Sequence, residues 1–297
     1  MRLPDEPADT EKRPPMPFRA LACFAAALLV IVAAHPAAAD PSRVSFAGAE
    51  GVTLRGWLYA PTTPGPHRAI VALHGCAGLL GKDGLPSPRH ADWGARWAKA
   101  GYVALFPDSF GSRGLGPQCR NEDRKVRVGR ERVDDANAAL QFLIRRADID
   151  AKHVALVGWS NGGSSTLQAV RPRNNPAAAN GGADFARAIA FYPGCRTLLE
   201  TGRWRTRLPL LLLIGAADDW TPAAPCSDLI ADAKANNEPA EIVTYPDAYH
   251  DFDHPNMPVH VLEDLAFTAD GDGQAHTGTN PAARADAIDR VMEFLAR

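Results

Sequence analysis

The chain has no charge excess of either sign, no apolar run of membrane-spanning length and few cysteines. A formal net charge of -2 over 297 residues leaves no basic footprint, which argues against nucleic acid as a partner. The apolar run from Leu21 to Ala34 is shorter than the about 20 residues that cross a bilayer, so no stable membrane insertion of the mature chain is expected. No internal repeat and no break in composition divides residues 40–297, which favours a single domain there. Metal-binding patterns are missing too. His250 and His254 are spaced as zinc ligands on a helix would be, but they stand in a Pro-containing loop. The run Asp270-Gly271-Asp272-Gly273 lacks the other ligands of a calcium loop and reads as a turn. No metal and no organic cofactor is therefore expected.

The first forty residues read as a segment outside the fold. Residues 1–17 are rich in Pro and charge, Arg19 precedes the apolar run, and Ala37-Ala38-Ala39 leads into Asp40. That is the order of a charged n-region, an h-region and a small-residue cleavage site. Residues 1–39 are thus expected to be an N-terminal extension and signal peptide, cleaved near Ala39/Asp40, with export to the periplasm or beyond. An uncleaved anchor is the alternative, and Met16 is a second candidate start. Cys23 lies in the apolar run and lacks the Leu three positions upstream that a lipoprotein signal needs. Without it, Cys76, Cys119, Cys195 and Cys226 remain. An even number in an oxidising compartment favours disulfides over free buried thiols, and four cysteines allow three pairings.

With 46% apolar and 22% charged residues, the composition is that of an ordinary globular chain. Residues 44–46 and 52–59 read as strands around a Gly-containing turn. Short apolar runs at 69–73, 102–106, 186–192 and 208–214 have the form of strands buried on both faces, and 153–157 and 240–245 read as further strands. Helical patterns occupy 91–100, 132–146, 164–170, 222–235 and 281–296. The alternation predicts an α/β fold whose mostly parallel central sheet carries helices on both faces. The stretch 107–129 is too long for a plain connection and is a candidate functional loop. Residues 171–184 read as a surface loop.

One pentapeptide carries chemistry. Gly158-Trp159-Ser160-Asn161-Gly162 fits G-x-S-x-G, with a buried strand running into it and a helix leaving it. Such a turn needs small flanking residues and lifts a serine hydroxyl above the sheet edge, at the positive end of a helix dipole. A glycine-rich helix start capped by Ser160 is the competing account. A serine becomes nucleophilic only when a base takes its proton, and the base needs an orienting acid. In chain order those partners should follow. Asp218, just beyond a strand, is the expected acid; Asp219 is the alternative, or a helix cap. His250, beyond the strand at 240–245, is the expected base, with His254 as competitor. The oxyanion should meet two backbone N–H groups, those of Asn161 and Cys76, the latter in the glycine-containing loop His74-Gly75-Cys76-Ala77-Gly78. His74 itself reads as a structural hydrogen-bonding residue.

With these parts in order, the chain resembles the dienelactone hydrolase family of the α/β-hydrolase superfamily over residues 45–297. The resemblance rests on LHGCAGL at 73–79, FPDSFGSRG at 106–114, VGWSNGG at 157–163, FYPGC at 191–195, IGAADDWTPAAPC at 214–226, YHDFD at 249–253 and the closing segment at 280–295. It implies the α/β-hydrolase fold and the catalytic set Ser160, Asp218 and His250. One position departs: the best-studied members have a cysteine nucleophile where Ser160 stands. That favours a general ester- or lactone-cleaving serine hydrolase acting on a small molecule over the family's dienelactone substrate. In that fold Cys195 and Cys226 follow neighbouring strands, which makes Cys195–Cys226 the expected pair and Cys76–Cys119 its complement. Trp159, Trp220, Phe252 and Arg113 flank the chemistry and are the expected substrate contacts, together with Phe110. Core packing competes for the aromatic residues. For Arg113, Arg120, Arg124 and Arg127 the rival account of a carboxylate-binding role is a solvated charged face. No long insertion points to a large lid. A non-catalytic binding member of the fold, or an acyltransferase or peroxidase with the same residues, are the alternative functions.

Overall fold

The computed structural model describes residues 39–175, 182–202 and 204–297. Residues 1–38 of the expected signal segment at 1–39, and part of the loop at 171–184, lie outside the described residues.

Eight strands form one sheet: β1 (Ser42–Ala47), β2 (Thr53–Tyr59), β3 (His67–Leu73), β4 (Val103–Pro107), β5 (Ile149–Trp159), β6 (Arg187–Phe191), β7 (Leu210–Gly215) and β8 (Ala240–Tyr245). Their order across the sheet is β1-β2-β4-β3-β5-β6-β7-β8. Only β2 runs against its neighbours within this sheet; β4, β3, β5, β6, β7 and β8 are mutually parallel. Every residue of β4 and of β7 is buried, which is why their sequences are continuously apolar rather than alternating.

Helices connect the parallel strands: α1 (Pro88–Lys99), α2 (Glu131–Ile144), α3 (Asn161–Ala169), α4 (Arg196–Glu200), α5 (Ala223–Ala235) and α6 (Pro281–Ala296). The path β3–α1–β4 moves one way along the sheet, and β4–α2–β5 moves the other. Right-handed crossovers then put α1 and α2 on opposite faces. Helix α1 ends where Gly101 takes a φ of 91°, a left-handed stop that suits glycine. It begins three residues before the predicted position, because Pro88 opens it with a φ already fixed for a helix. Two polar residues of that first turn, Arg89 and His90, are buried rather than solvated. A two-stranded hairpin of β9 (His260–Leu262) and β10 (Ala275–Thr277) was not legible, since each strand has three residues.

The chain leaves β3 toward β4 but leaves its neighbour β5 toward β6, so the loops after β3 and β5 part at the C-terminal edge of the sheet. A crevice is expected at such a switch point. The loops after β6, β7 and β8 open on the same edge.

Candidate active site

Ser160 is the residue at which β5 turns into α3. Its φ of 51° and ψ of -114° are strained for a side-chain-bearing residue. Two glycines make the turn possible. A Cβ on Gly162 would lie 2.0 Å from the Leu73 carbonyl oxygen, and one on Gly158 would lie 2.2 Å from the Gly162 oxygen. The Ser160 N–H donates to Phe191 O at 2.9 Å, tying the turn to β6. The first bond of α3 runs from Ser164 N–H to Ser160 O at 2.8 Å, so the Asn161 amide precedes the helix ladder.

Ser160, Asn161 and Cys76 line one cavity of about 490 Å³, together with Trp220 and Thr221. The Cys76 loop is fixed from several sides. Cys76 O accepts from Gln118 N at 2.7 Å, and a disulfide joins Cys76 to Cys119. Arg132, wholly buried, donates to His74 O at 2.7 Å and to Asn161 Oδ1 at 3.3 Å, which links the loop after β3 to the turn after β5. Burial pulls the Arg132 guanidinium down to about 10, with Asp135 and Asp108 opposing. His74 has a structural role, as expected. Its Nε2 accepts from Ser109 N at 3.2 Å, so Nδ1 carries the proton and donates to Gly75 O at 2.8 Å. Burial, then the neighbouring Arg132, hold its pKa well below the usual histidine value.

Asp218 and His250 meet at the same edge. His250 Nδ1 donates to Asp218 Oδ2 at 2.8 Å, and both side chains are buried. The other carboxylate oxygen accepts from the Trp220 and Thr221 amides at 3.0 and 2.8 Å. The two loops are joined by Ala217 N–H to Ala248 O at 3.1 Å. Burial opposes a charge on His250, but Asp218 and then Asp251 outweigh it, and the imidazole pKa is raised above the ordinary value. His250 Nε2 is buried and has no hydrogen-bond partner among the described residues.

Several sequence candidates sit elsewhere. Asp219 is held by His276, through Nδ1 at 2.7 Å and the backbone N–H at 2.8 Å, and so anchors the β9–β10 hairpin instead of capping a helix. Trp159 is not a substrate contact. It is fully buried between Phe106 and Phe191, with Nε1 donating to Asp253 at 2.8 Å. Phe252 and Phe110 are likewise core residues. Arg113 forms two 2.8 Å bonds with the buried Asp135, so its guanidinium braces α2 and is not offered to a ligand. An arginine in a polar loop cannot be told from a ligand-binding one until its partner, here 22 residues away, is known. Of the expected contacts only Trp220 lines the cavity, and its ring centroid lies 4.7 Å from that of His250. Arg124 lines it too, with Phe267, whose ring it covers at 4.8 Å. Thr221 was missed: its Oγ lies 3.0 Å from Asp218 Oδ2 and 3.1 Å from His250 Nδ1. The Thr-Pro pair before α5 was its only signal. The structure pairs Cys195 with Cys226 as well as Cys76 with Cys119. No helix among the described residues is long and apolar enough to cross a membrane.

Comparison with known proteins agrees with this architecture. The chain is 30% identical over 140 residues to an uncharacterized protein YfhR of Salmonella typhimurium, covering 46% of this chain and 42% of that protein. It is 22% identical over 253 residues to an uncharacterized peptidase YuxL of Bacillus subtilis, covering 76% of this chain and 38% of that one. The chain thus spans about two fifths of the length of these two relatives. Its fold matches that of a dienelactone hydrolase-like promiscuous phosphotriesterase from metagenomic libraries, with a TM-score of 0.63, 17% identity, and coverage of 88% of this chain and 98% of that one. The model of the dienelactone hydrolase family matches residues 54–297, and the chain, which has the α/β-hydrolase fold, belongs to that family.

Proposed function

We propose that the chain is a serine hydrolase that cleaves a carboxylic ester or lactone through an acyl-enzyme, with Ser160 as nucleophile, His250 as base and Asp218 as its orienting acid. The observation that carries this reading is the buried Asp218–His250 pair with an unpartnered Nε2, set at the same sheet edge as the strained Ser160. Nε2 takes the hydroxyl proton as Oγ bonds to the carbonyl carbon. The oxyanion is received by the Asn161 and Cys76 amides. His250 then returns the proton to the leaving alcohol as the C–O bond breaks, and water repeats the sequence on the acyl group. Among the cavity-lining residues are Arg124 and Arg196 but no Asp or Glu, which favours neutral or anionic esters over cationic ones. The two disulfides support export to an oxidising compartment.

Ser160→Ala is expected to abolish turnover of a chromogenic short-chain ester while the far-UV CD spectrum is retained. Undiminished turnover would contradict the assignment. A panel of esters, lactones and peptide amides on the purified protein identifies the bond class.

A further inference from the structure

The motif Tyr249-His250-Asp251-Phe252-Asp253 contributes His250 to the proposed chemistry, yet both of its carboxylates are tied down. Asp253 has no exposed surface. Its Oδ1 accepts from Tyr192 Oη at 2.5 Å, and its Oδ2 accepts from the indole N–H groups of Trp93 and Trp159, each at 2.8 Å. Asp251 pairs with Arg89, and its second oxygen accepts from Thr277 Oγ at 3.2 Å. Arg89 closes the network. It is 6% exposed, and the same Nη1 that meets Asp251 also donates to Tyr192 Oη at 3.0 Å. The Tyr192 ring in turn lies 4.5 Å from the His250 ring. On its other side the Arg89 guanidinium flanks the loop after β3. A Cβ on Gly75 would stand 3.8 Å from Arg89 Nη2 and 3.5 Å from Ser160 Cβ.

We propose that Arg89 is a positioning residue for His250: through Asp251 and Tyr192 it fixes the loop and the aromatic floor that orient the imidazole, and it balances the second carboxylate beside that ring. The inference rests on the serine hydrolase reading. A buried cation is costly to strip of water unless it is paired, and here the pairing falls on the residue next to the base. Surface exposure would have supplied a cheaper place for an arginine on α1.

The charged and titratable groups facing His250 come from four elements. They are Asp218 after β7, Tyr192 after β6, Arg89 on α1 and Asp251 on its own loop. Asp253 and His254 lie farther along and act on the Arg89–Asp251 pair. Against the cost of burial, Asp218 and Asp251 favour the imidazolium and Arg89 disfavours it. Removing Arg89 or Asp251 should therefore displace His250 in opposite directions, which a purely structural defect would not do.

The test is the pH dependence of kcat/KM on a chromogenic ester for wild type, Arg89→Gln and Asp251→Asn. Arg89→Gln should move the acid limb up by about half a pH unit or more, and Asp251→Asn should move it down by a similar amount. Limbs that stay together, or move the same way, overturn the inference. If either variant lacks a cooperative thermal transition, Tyr192→Phe decides, because it keeps the ring and removes the two bonds between Arg89 and Asp253. Its kcat should fall about tenfold with KM within about twofold, and an unchanged kcat overturns the inference. Wild-type labelling at Ser160 by a fluorophosphonate is the control. If labelling fails, the serine hydrolase reading falls and takes this inference with it; if labelling succeeds while the limbs stay fixed, only this inference falls.

Discussion

Asp218 Oδ2 lies 2.8 Å from His250 Nδ1, and the side chains of the pair are 0% and 1% exposed. A carboxylate can only accept, so the proton sits on Nδ1 and Nε2 is left with a free lone pair. That tautomer is the one a base over Ser160 needs.

The pair sets the pH dependence. Burial disfavours the imidazolium, but Asp218 and Asp251 more than compensate, so His250 titrates above the ordinary value. A base must be neutral to act, so kcat/KM should fall as pH drops through a midpoint above about 6.5. In Asp218→Asn the amide can donate to Nδ1 and impose the wrong tautomer, so kcat should fall about 10³-fold or more. A midpoint below that of free histidine, or a variant within tenfold of wild type, contradicts the pairing as a catalytic device.

The turn at Ser160 tolerates no side chain at position 162. In Gly162→Ala the new Cβ would meet the Leu73 carbonyl oxygen at 2.0 Å, a backbone atom that cannot move without displacing β3. We expect a loss of about 3 kcal/mol or more in denaturant unfolding, or failure to accumulate folded protein. A variant with wild-type stability would mean that the turn is looser than described.

The parallel strands and the G-x-S-x-G turn were legible because they are local. Buried strands read as apolar runs, and Ser160 is flagged by glycines whose steric need lies within a few residues. The acid and base could be ordered along the chain and Asp218 preferred to Asp219 for its place nearer the strand end, but that His276 claims Asp219 is visible only in the fold. Arg89 and Arg113 show the opposite limit. Each is a polar residue in a polar stretch, and each is paired with a carboxylate at position 251 or 135 that no spacing rule connects to it. Trp159 failed as a substrate contact for the complementary reason: alternate residues of a turn face opposite ways, so the neighbour of the nucleophile enters the core.

Under the proposed role of the Cys76 amide, its disulfide bears on catalysis as well as stability. Cys119 O accepts from Ala266 N at 2.9 Å, so this bridge ties the Cys76 loop to the loop beside Phe267. Cys119→Ser should cost about 2–4 kcal/mol of stability. It should also lower kcat about tenfold, with a smaller change in KM, because the Cys76 amide loses its anchor. Serines at both Cys195 and Cys226 should cost similar stability with less effect on kcat. Equal kcat losses in the two variants would remove the special role of Cys76.

Two buried histidines predict early acid destabilisation. Burial, then Arg89, push His90 down to about 3, and burial with Arg132 holds His74 well below the usual value. Both stay neutral when folded but protonate when unfolded, so stability should fall as pH drops below about 6.5, at no more than about 1.4 kcal/mol per unit for each group. His250 acts the other way: its raised pKa contributes stability that is fully present below the unfolded value and is lost as pH rises through the folded one. The net effect is the surplus of the two over the one. Thermal melts between pH 8 and pH 4 check this, and a melting temperature that is flat down to about pH 4.5 contradicts it.

The central claim is that Ser160 is the nucleophile, and covalent capture tests it most directly. Purified protein is treated with a fluorophosphonate and digested, and the modified residue is located by mass spectrometry. The account predicts stoichiometric modification of Ser160, lost in Ser160→Ala and strongly slowed in a His250→Ala variant. Modification at another residue, or equal labelling of wild type and Ser160→Ala, would contradict it.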